Sequence, residues 1–84
     1  MMRPAIDHVA CWHDEQASEP TRIMWSVSTC EADGSEVACI GGEWVRDAAW
    51  QLACDLADDL AVPAVMLDLN GVAIMRHGGD RGNN

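Results

Sequence analysis

The chain has 84 residues, 5 basic and 14 acidic, for a formal net charge of -9. That length holds one domain with barely enough interior for a core, and a field of this sign disfavours direct contact with phosphate backbones. With 49% hydrophobic and 23% charged residues, the composition is that of a globular rather than a disordered chain.

Residues 1–21 form an N-terminal segment. Its opening, MMRPAIDHVAC, lacks the continuous apolar stretch of a signal peptide. Within AIDHVACWH (5–13), Ile6, Val9, Ala10 and His13 fit a short helix about as well as an added strand. DEQASEPT (14–21) is polar, contains Pro20, and reads as a loop.

RIMWSVSTC (22–30) alternates Ile23, Trp25, Val27 and Thr29 against Met24, Ser26 and Ser28, the period of a half-buried strand. EADGSE then turns the chain, through either Asp33-Gly34 or Gly34-Ser35, into a second short strand, VACI (37–40). Both turns put Ala38 and Ile40 on the face of Trp25 and Val27. With the second turn, Cys30 and Cys39 come directly opposite each other.

Gly41-Gly42 breaks the chain before Glu43, an acidic residue suited to a first helical turn. At about 100° per residue, Val45, Ala48, Ala49, Leu52, Leu56 and Leu60 form one apolar stripe, and Pro63 closes the helix. Asn70-Gly71 predicts a second hairpin in AVMLDLNGVAIMRH. A two-residue loop there pairs Leu69 with Val72, Leu67 with Ile74 and Val65 with Arg76. GGDRGNN ends the chain as a Gly/Asn-rich tail (78–84), expected to be flexible.

The predicted fold is α+β: a β-β-α-β-β unit over 22–77, an antiparallel sheet with one helix on one face. The sheet is four-stranded, or five-stranded if 5–13 adds a strand. Its predicted core is Ile23, Trp25, Val27, Ile40, Val45, Leu52, Leu56, Leu67, Leu69, Val72 and Ile74.

Through Trp25-Ser26-Val27, the Ala-rich helix and Asn70-Gly71-Val72-Ala73-Ile74, residues 22–77 resemble a group of short, uncharacterised bacterial β-β-α-β-β proteins. The likeness departs at Gly41-Gly42-Glu43, where that group starts its helix with a Thr-Lys-x-Glu type of sequence, and it implies the fold more than a role. In length, acidity and layout the chain is also similar to phage-encoded inhibitors, including some anti-CRISPR proteins. That analogy of type implies a small acidic inhibitor acting in the host cytoplasm.

Two surfaces invite a partner. Asp55, Asp58 and Asp59 oppose the dipole at the helix end with no basic residue to answer them. Asp47, Asp55 and Asp58, beside an outward Trp50, would form a patch for a basic surface; a solvated acidic face is the plain alternative. Asp59 falls near the apolar stripe and fits neither. The second surface is the sheet face away from the helix, predicted to show Met24, Met66 and Met75 among Ser26, Ser28, Cys30, Val37, Cys39 and Ala73. It would bind a partner, pair two copies as a homodimer, or lie under the N-terminal segment.

His8-x-x-Cys11-x-His13 resembles a fragment of a metal site, with a fourth ligand needed from Cys30, Cys39, Cys54 or His77. Nothing in the spacing compels that convergence, so no metal or other cofactor is expected. The four cysteines lack C-x-x-C spacing and are expected as cytosolic thiols. No nucleophile elbow, phosphate loop or paired acid/base spacing appears, which argues against an enzyme. No apolar run approaches the roughly 20 residues of a membrane span. The expected function is therefore non-enzymatic: an acidic protein that occupies a basic, nucleic-acid-reading surface of a host protein, with a homodimeric domain as the alternative and a Cys/His metal module behind it.

Overall fold

The computed structural model describes residues 5–78. Five strands and one helix follow one another as β1 (His8–Glu19), β2 (Arg22–Cys30), β3 (Glu36–Glu43), α1 (Arg46–Leu60), β4 (Ala64–Leu67) and β5 (Ala73–His77). The sheet order is β3-β2-β1-β4-β5. The fold is α+β with five strands. The N-terminal segment supplies the central one.

Position explains the composition of β1. The central strand is flanked by β2 and β4, so even Ala10 on the uncovered face is buried, and its apolar residues run together as Val9-Ala10-Cys11-Trp12 instead of alternating cleanly. Its polar end, expected to be loop, stays in the strand. Asp14 there accepts hydrogen bonds at Oδ1 from the Gln16 and Ala17 amides, 3.1 and 3.2 Å, and shapes a bulge between Asp14 and Glu19. Antiparallel pairing joins β1 to β2, β2 to β3 and β4 to β5, whereas β1 and β4 run parallel. The sheet is therefore mixed. After the first two hairpins the chain lies at the β3 edge, and α1 carries it back across one face to pair β4 beside β1.

Both later hairpins turn in one way. Gly34 donates to the Glu31 carbonyl at 2.9 Å and Gly71 to the Asp68 carbonyl at 3.0 Å. Each glycine has positive φ, 91° and 81°. These are type I turns closed by a left-handed glycine, giving three-residue loops. The two-residue turns predicted at both sites are corrected accordingly. In the second hairpin the extra loop residue is offset by an irregularity between Met66 and Leu67, so Val65 still pairs with Arg76. In the first, Cys39 pairs with Ser28 and not with Cys30, and all four cysteines are free thiols.

The core is small-grained. Val9, Cys11, Val27, Ala49, Ala53, Cys54, Ala57, Ala64 and Met66 are buried together, with Trp25, Trp50, Leu52, Leu56 and Val62 packed against them. Ala49, Ala53 and Ala57 recur every four residues along α1, letting the helix lie close on the sheet. A Cβ on Gly41 would stand 3.4 Å from Leu52 Cδ2, so that glycine also keeps the approach open.

Much of the predicted core lies outside. Ile23, Ile40, Val45, Leu69, Val72 and Ile74 are exposed, and Leu67 is half-buried on the face away from the helix. Ile40 falls in a bulge between the pairs Ser28–Cys39 and Val27–Gly41. In β4 the face is inverted. Ala64 and Met66 pair with Val9 and Cys11 on the helix side, which sends Val65 and Leu67 to the other. The helix starts at Arg46, because Glu43 still pairs with Trp25 as the last residue of β3.

Candidate binding cleft on the open sheet face

With Val9 and Cys11 under the helix, His8, Ala10, Trp12 and Asp14 of β1 face the other way. Their neighbours on β2 are Cys30, Ser28, Ser26 and Met24, and beyond them on β3 stand Glu36, Cys39 and Gly42. Ala10, Ser26, Ser28 and Cys30 make a floor of small residues, from which Trp12 rises half-buried. No helix among the described residues covers this face.

The floor is tied by hydrogen bonds. Trp12 leans diagonally across the pair and donates through Nε1 to Ser28 Oγ at 3.1 Å, and Ser28 Oγ donates to Glu36 Oε2 at 3.1 Å. Ser26 Oγ donates to Asp14 Oδ2 at 3.0 Å. Ser18 Oγ donates to the Asp14 carbonyl at 2.7 Å and accepts from the Met24 amide at 2.9 Å. The indole and the Asp14 carboxylate are thus both held, and among the described residues no buried side-chain polar atom lacks a partner. A chain of satisfied bonds fixes orientation better than any one of them.

Two hollows meet at Trp12 and Glu36. One, of about 340 Å³, runs toward Leu67, Asp68 and Leu69 in the β4–β5 turn. The other, of about 610 Å³, opens toward the β1 bulge and is lined by Asp14, Glu15, Gln16, Glu36 and Cys39, with Trp12 and His13. Three carboxylates and no lysine or arginine line the larger hollow. Its lining suits a cation: carboxylates supply charge and the indole face a negative quadrupole.

The helix carboxylates are less of a patch than their sequence suggests. Asp47 lies in the first turn, where it favours the dipole and sits 3.9 Å from Arg46. It is about 16 Å from Asp58 along the axis at 1.5 Å per residue. Asp55 accepts from Gln51 Nε2 at 2.9 Å, and His77 Nε2 on β5 meets Asp58 Oδ1 at 2.9 Å. That histidine is the answering group missing from the helix itself. Asp59 is exposed, so it lies off the buried stripe. Trp50, expected to point outward, is half-buried and packs against the core.

The methionines also divide. Met24 stands on the open face, where a Cβ on Gly42 would come 2.8 Å from its Sδ. Met66 is buried under the helix, and Met75 pairs with it on that same side at the sheet edge. Neither joins Met24, because inversion of β4 turned both over. The open face is serine-lined and acidic instead of Met-rich.

His8 faces the open side while Cys11 and His13 face the helix side, so that fragment does not converge. Among the described residues, no three His, Cys, Asp or Glu side chains gather as metal ligands. Burial pushes the Cys11 thiol up to about 11, helped by nearby Cys54 and opposed by Arg46. Burial also raises Cys54, with Asp58 and Asp55 adding to it, and Cys30, with Glu36 adding to it. None of these three is poised as a thiolate.

Trp12 and Glu15 went unrecognised in the sequence because residues 5–21 carried no clear period, and Glu36 because it closes the polar turn EADGSE, where an acidic residue draws no notice. The unbroken Val9–Trp12 run was the available sign of a central strand. No helix among the described residues is long and apolar enough to cross a membrane. In comparisons with protein-family models, curated proteins and solved structures, the chain matches none. The fold and site define a small α+β protein with one face under a helix and an acidic, tryptophan-bearing cleft on the other.

Proposed function

We propose that this protein is a non-enzymatic, phage-type acidic interaction protein that docks on a basic, nucleic-acid-reading surface of a host protein. A component of a CRISPR–Cas system is one such surface. Its carboxylates would stand where phosphates otherwise sit. The observation that carries this reading is the open-face cleft, where Asp14, Glu15 and Glu36 surround Trp12 without a lysine or arginine among the lining residues. Charge-assisted pairs to the partner's Arg and Lys would supply specificity, and the indole desolvated contact. A field from net charge -9 steers such encounters over about 8 Å at physiological ionic strength.

The test is displacement. Labelled DNA or RNA is loaded on host nucleic-acid-binding proteins, CRISPR effectors among them, and this protein is titrated in. The expected result is stoichiometric release from at least one of them at low salt, lost at high salt and lost in Glu15→Lys/Glu36→Lys. Release from none of them removes the reading.

A second reading, self-association, moves to a different surface. Two open faces brought together would oppose their carboxylates, whereas the β4–β5 hairpin exposes Leu69, Val72, Ile74 and Met75. Sedimentation of the wild type against Ile74→Asp separates the two: a dimer that this change dissolves favours the hairpin, and a monomer in both removes it.

A further inference from the structure

The protein contains its own example of cation capture. Arg22 Cζ lies 4.0 Å from the centroid of the Trp44 ring, while Arg22 Nε and Nη2 donate to Glu19 Oε1 at 3.1 and 2.8 Å. One guanidinium thus lies on an indole face and donates its N–H groups to a carboxylate. Trp12 with Glu36 and Glu15 repeats those partners without the cation. Trp12 has its N–H engaged by Ser28, so what it offers a ligand is the ring face. Glu36 uses Oε2 on Ser28, and no partner for its Oε1 occurs among the described residues. The Glu15 carboxylate makes no hydrogen bond or ion pair among them either. Asp14, by contrast, has both oxygens occupied and contributes fixed charge.

From this we infer that the Trp12 cleft is an arginine-binding site, taking one guanidinium of a partner protein stacked on the Trp12 ring and paired with Glu36, with Glu15 adding charge beside it. Arginine is chosen over lysine for geometric reasons. Its planar group stacks on an indole and still points N–H groups edgewise at carboxylates, whereas an ammonium is a compact, strongly hydrated point charge. The site rests on the proposed reading as an acidic binder and narrows it to one side chain in one cleft.

The probes are an octapeptide alternating arginine and glycine and its lysine counterpart of equal charge, titrated into the ¹⁵N-labelled protein at low salt. The Trp12 indole N–H resonance should shift with the arginine peptide, which should bind about two- to fivefold tighter than the lysine peptide, the margin of an exposed cation–π contact. Trp12→Leu and Glu36→Gln should each erase that preference, Trp12→Phe should keep part of it, and Asp55→Asn should leave it unchanged. Equal affinities, or an unmoved Trp12 resonance, overturn the assignment. If both peptides instead perturb only the helix around Asp55 and Asp58, the acidic-binder reading survives and the Trp12 site falls. If neither peptide binds and no nucleic acid is displaced, both fall.

Discussion

Ala61 is the one residue other than glycine with positive φ among those described, at 59°. It ends α1 with the Ala61 amide donating to the Asp58 carbonyl at 3.2 Å and the Val62 amide to the Ala57 carbonyl at 3.0 Å, while Val62 packs on the core. That closure normally carries glycine, since a Cβ in the left-handed region costs roughly 1–2 kcal/mol. Ala61→Gly should therefore stabilise the protein by about 1 kcal/mol, read as a higher urea midpoint with an unchanged slope. Cys11 gives a prediction about pH. Its buried thiol titrates near 11 against 9.0 for the free group. Stability from keeping it neutral is then fully present below pH 9 and drains away as pH rises from 9 toward 11, because the unfolded chain ionises first. The loss amounts to roughly 2 kcal/mol, and Cys11→Ala, though less stable throughout, should show a smaller step, the remainder coming from the raised Cys30 and Cys54 thiols. Denaturation midpoints across this window decide it. Cys39, exposed, should meanwhile be the first thiol alkylated in the native protein.

The two glycine-closed hairpins and the helix show which elements local chemistry dictates. A Cβ on Gly71 would meet nothing within 4 Å, so Gly71→Ala tests conformation alone. It should destabilise by roughly 1–2 kcal/mol, measured by thermal or urea unfolding. Both turns were legible as turns because Asp-Gly and Asn-Gly are strong signals. Their types were not, since a left-handed glycine serves a three-residue loop as well as a two-residue one. The helix was legible from its period, and Ala49, Leu52 and Leu56 of its predicted stripe do pack inward, but Val45, Ala48 and Leu60 are exposed and the buried centre is shifted to Ala53 and Ala57. Large residues drew attention there, whereas close packing fully buries the small Ala53 and Ala57 beside Ala49 and leaves Leu52 and Leu56 at the margin. Its entry has a similar lesson: Val45, 62% exposed, occupies the cap position with no side-chain hydrogen bond. Because Val45 packs little, Val45→Asp should add about 1 kcal/mol through an N-cap bond and a favourable dipole contact.

At the scale of the molecule, pairing between neighbours in sequence was readable and pairing across the chain was not. Alternation told which residues of β4 share a face but not which face meets the helix, since Ala64 and Met66 are as apolar as Val65 and Leu67. That choice is made by β1, and so is the cleft, whose Trp12 and Asp14 belong to it. The segment expected to precede a domain at 22–77 is thus the strand that joins the two halves of the sheet: β2–β3 on one side, β4–β5 on the other. A chain starting at Arg22 would lose Val9 and Cys11 from the core, leave the inner edges of β2 and β4 unpaired, and retain four strands in two separate hairpins. Isolated hairpins are marginal in water, and a helix with an alanine stripe has little to bury without a continuous sheet beneath it. Such a chain should show neither a cooperative unfolding transition nor dispersed amide resonances. A synthetic peptide covering residues 5–19, added in trans, should restore both and bring back the Trp12 indole signal. A truncated chain that unfolds cooperatively without the peptide would mean that the hairpins and helix sustain a core of their own, and β1 would then be an addition to the fold instead of its centre.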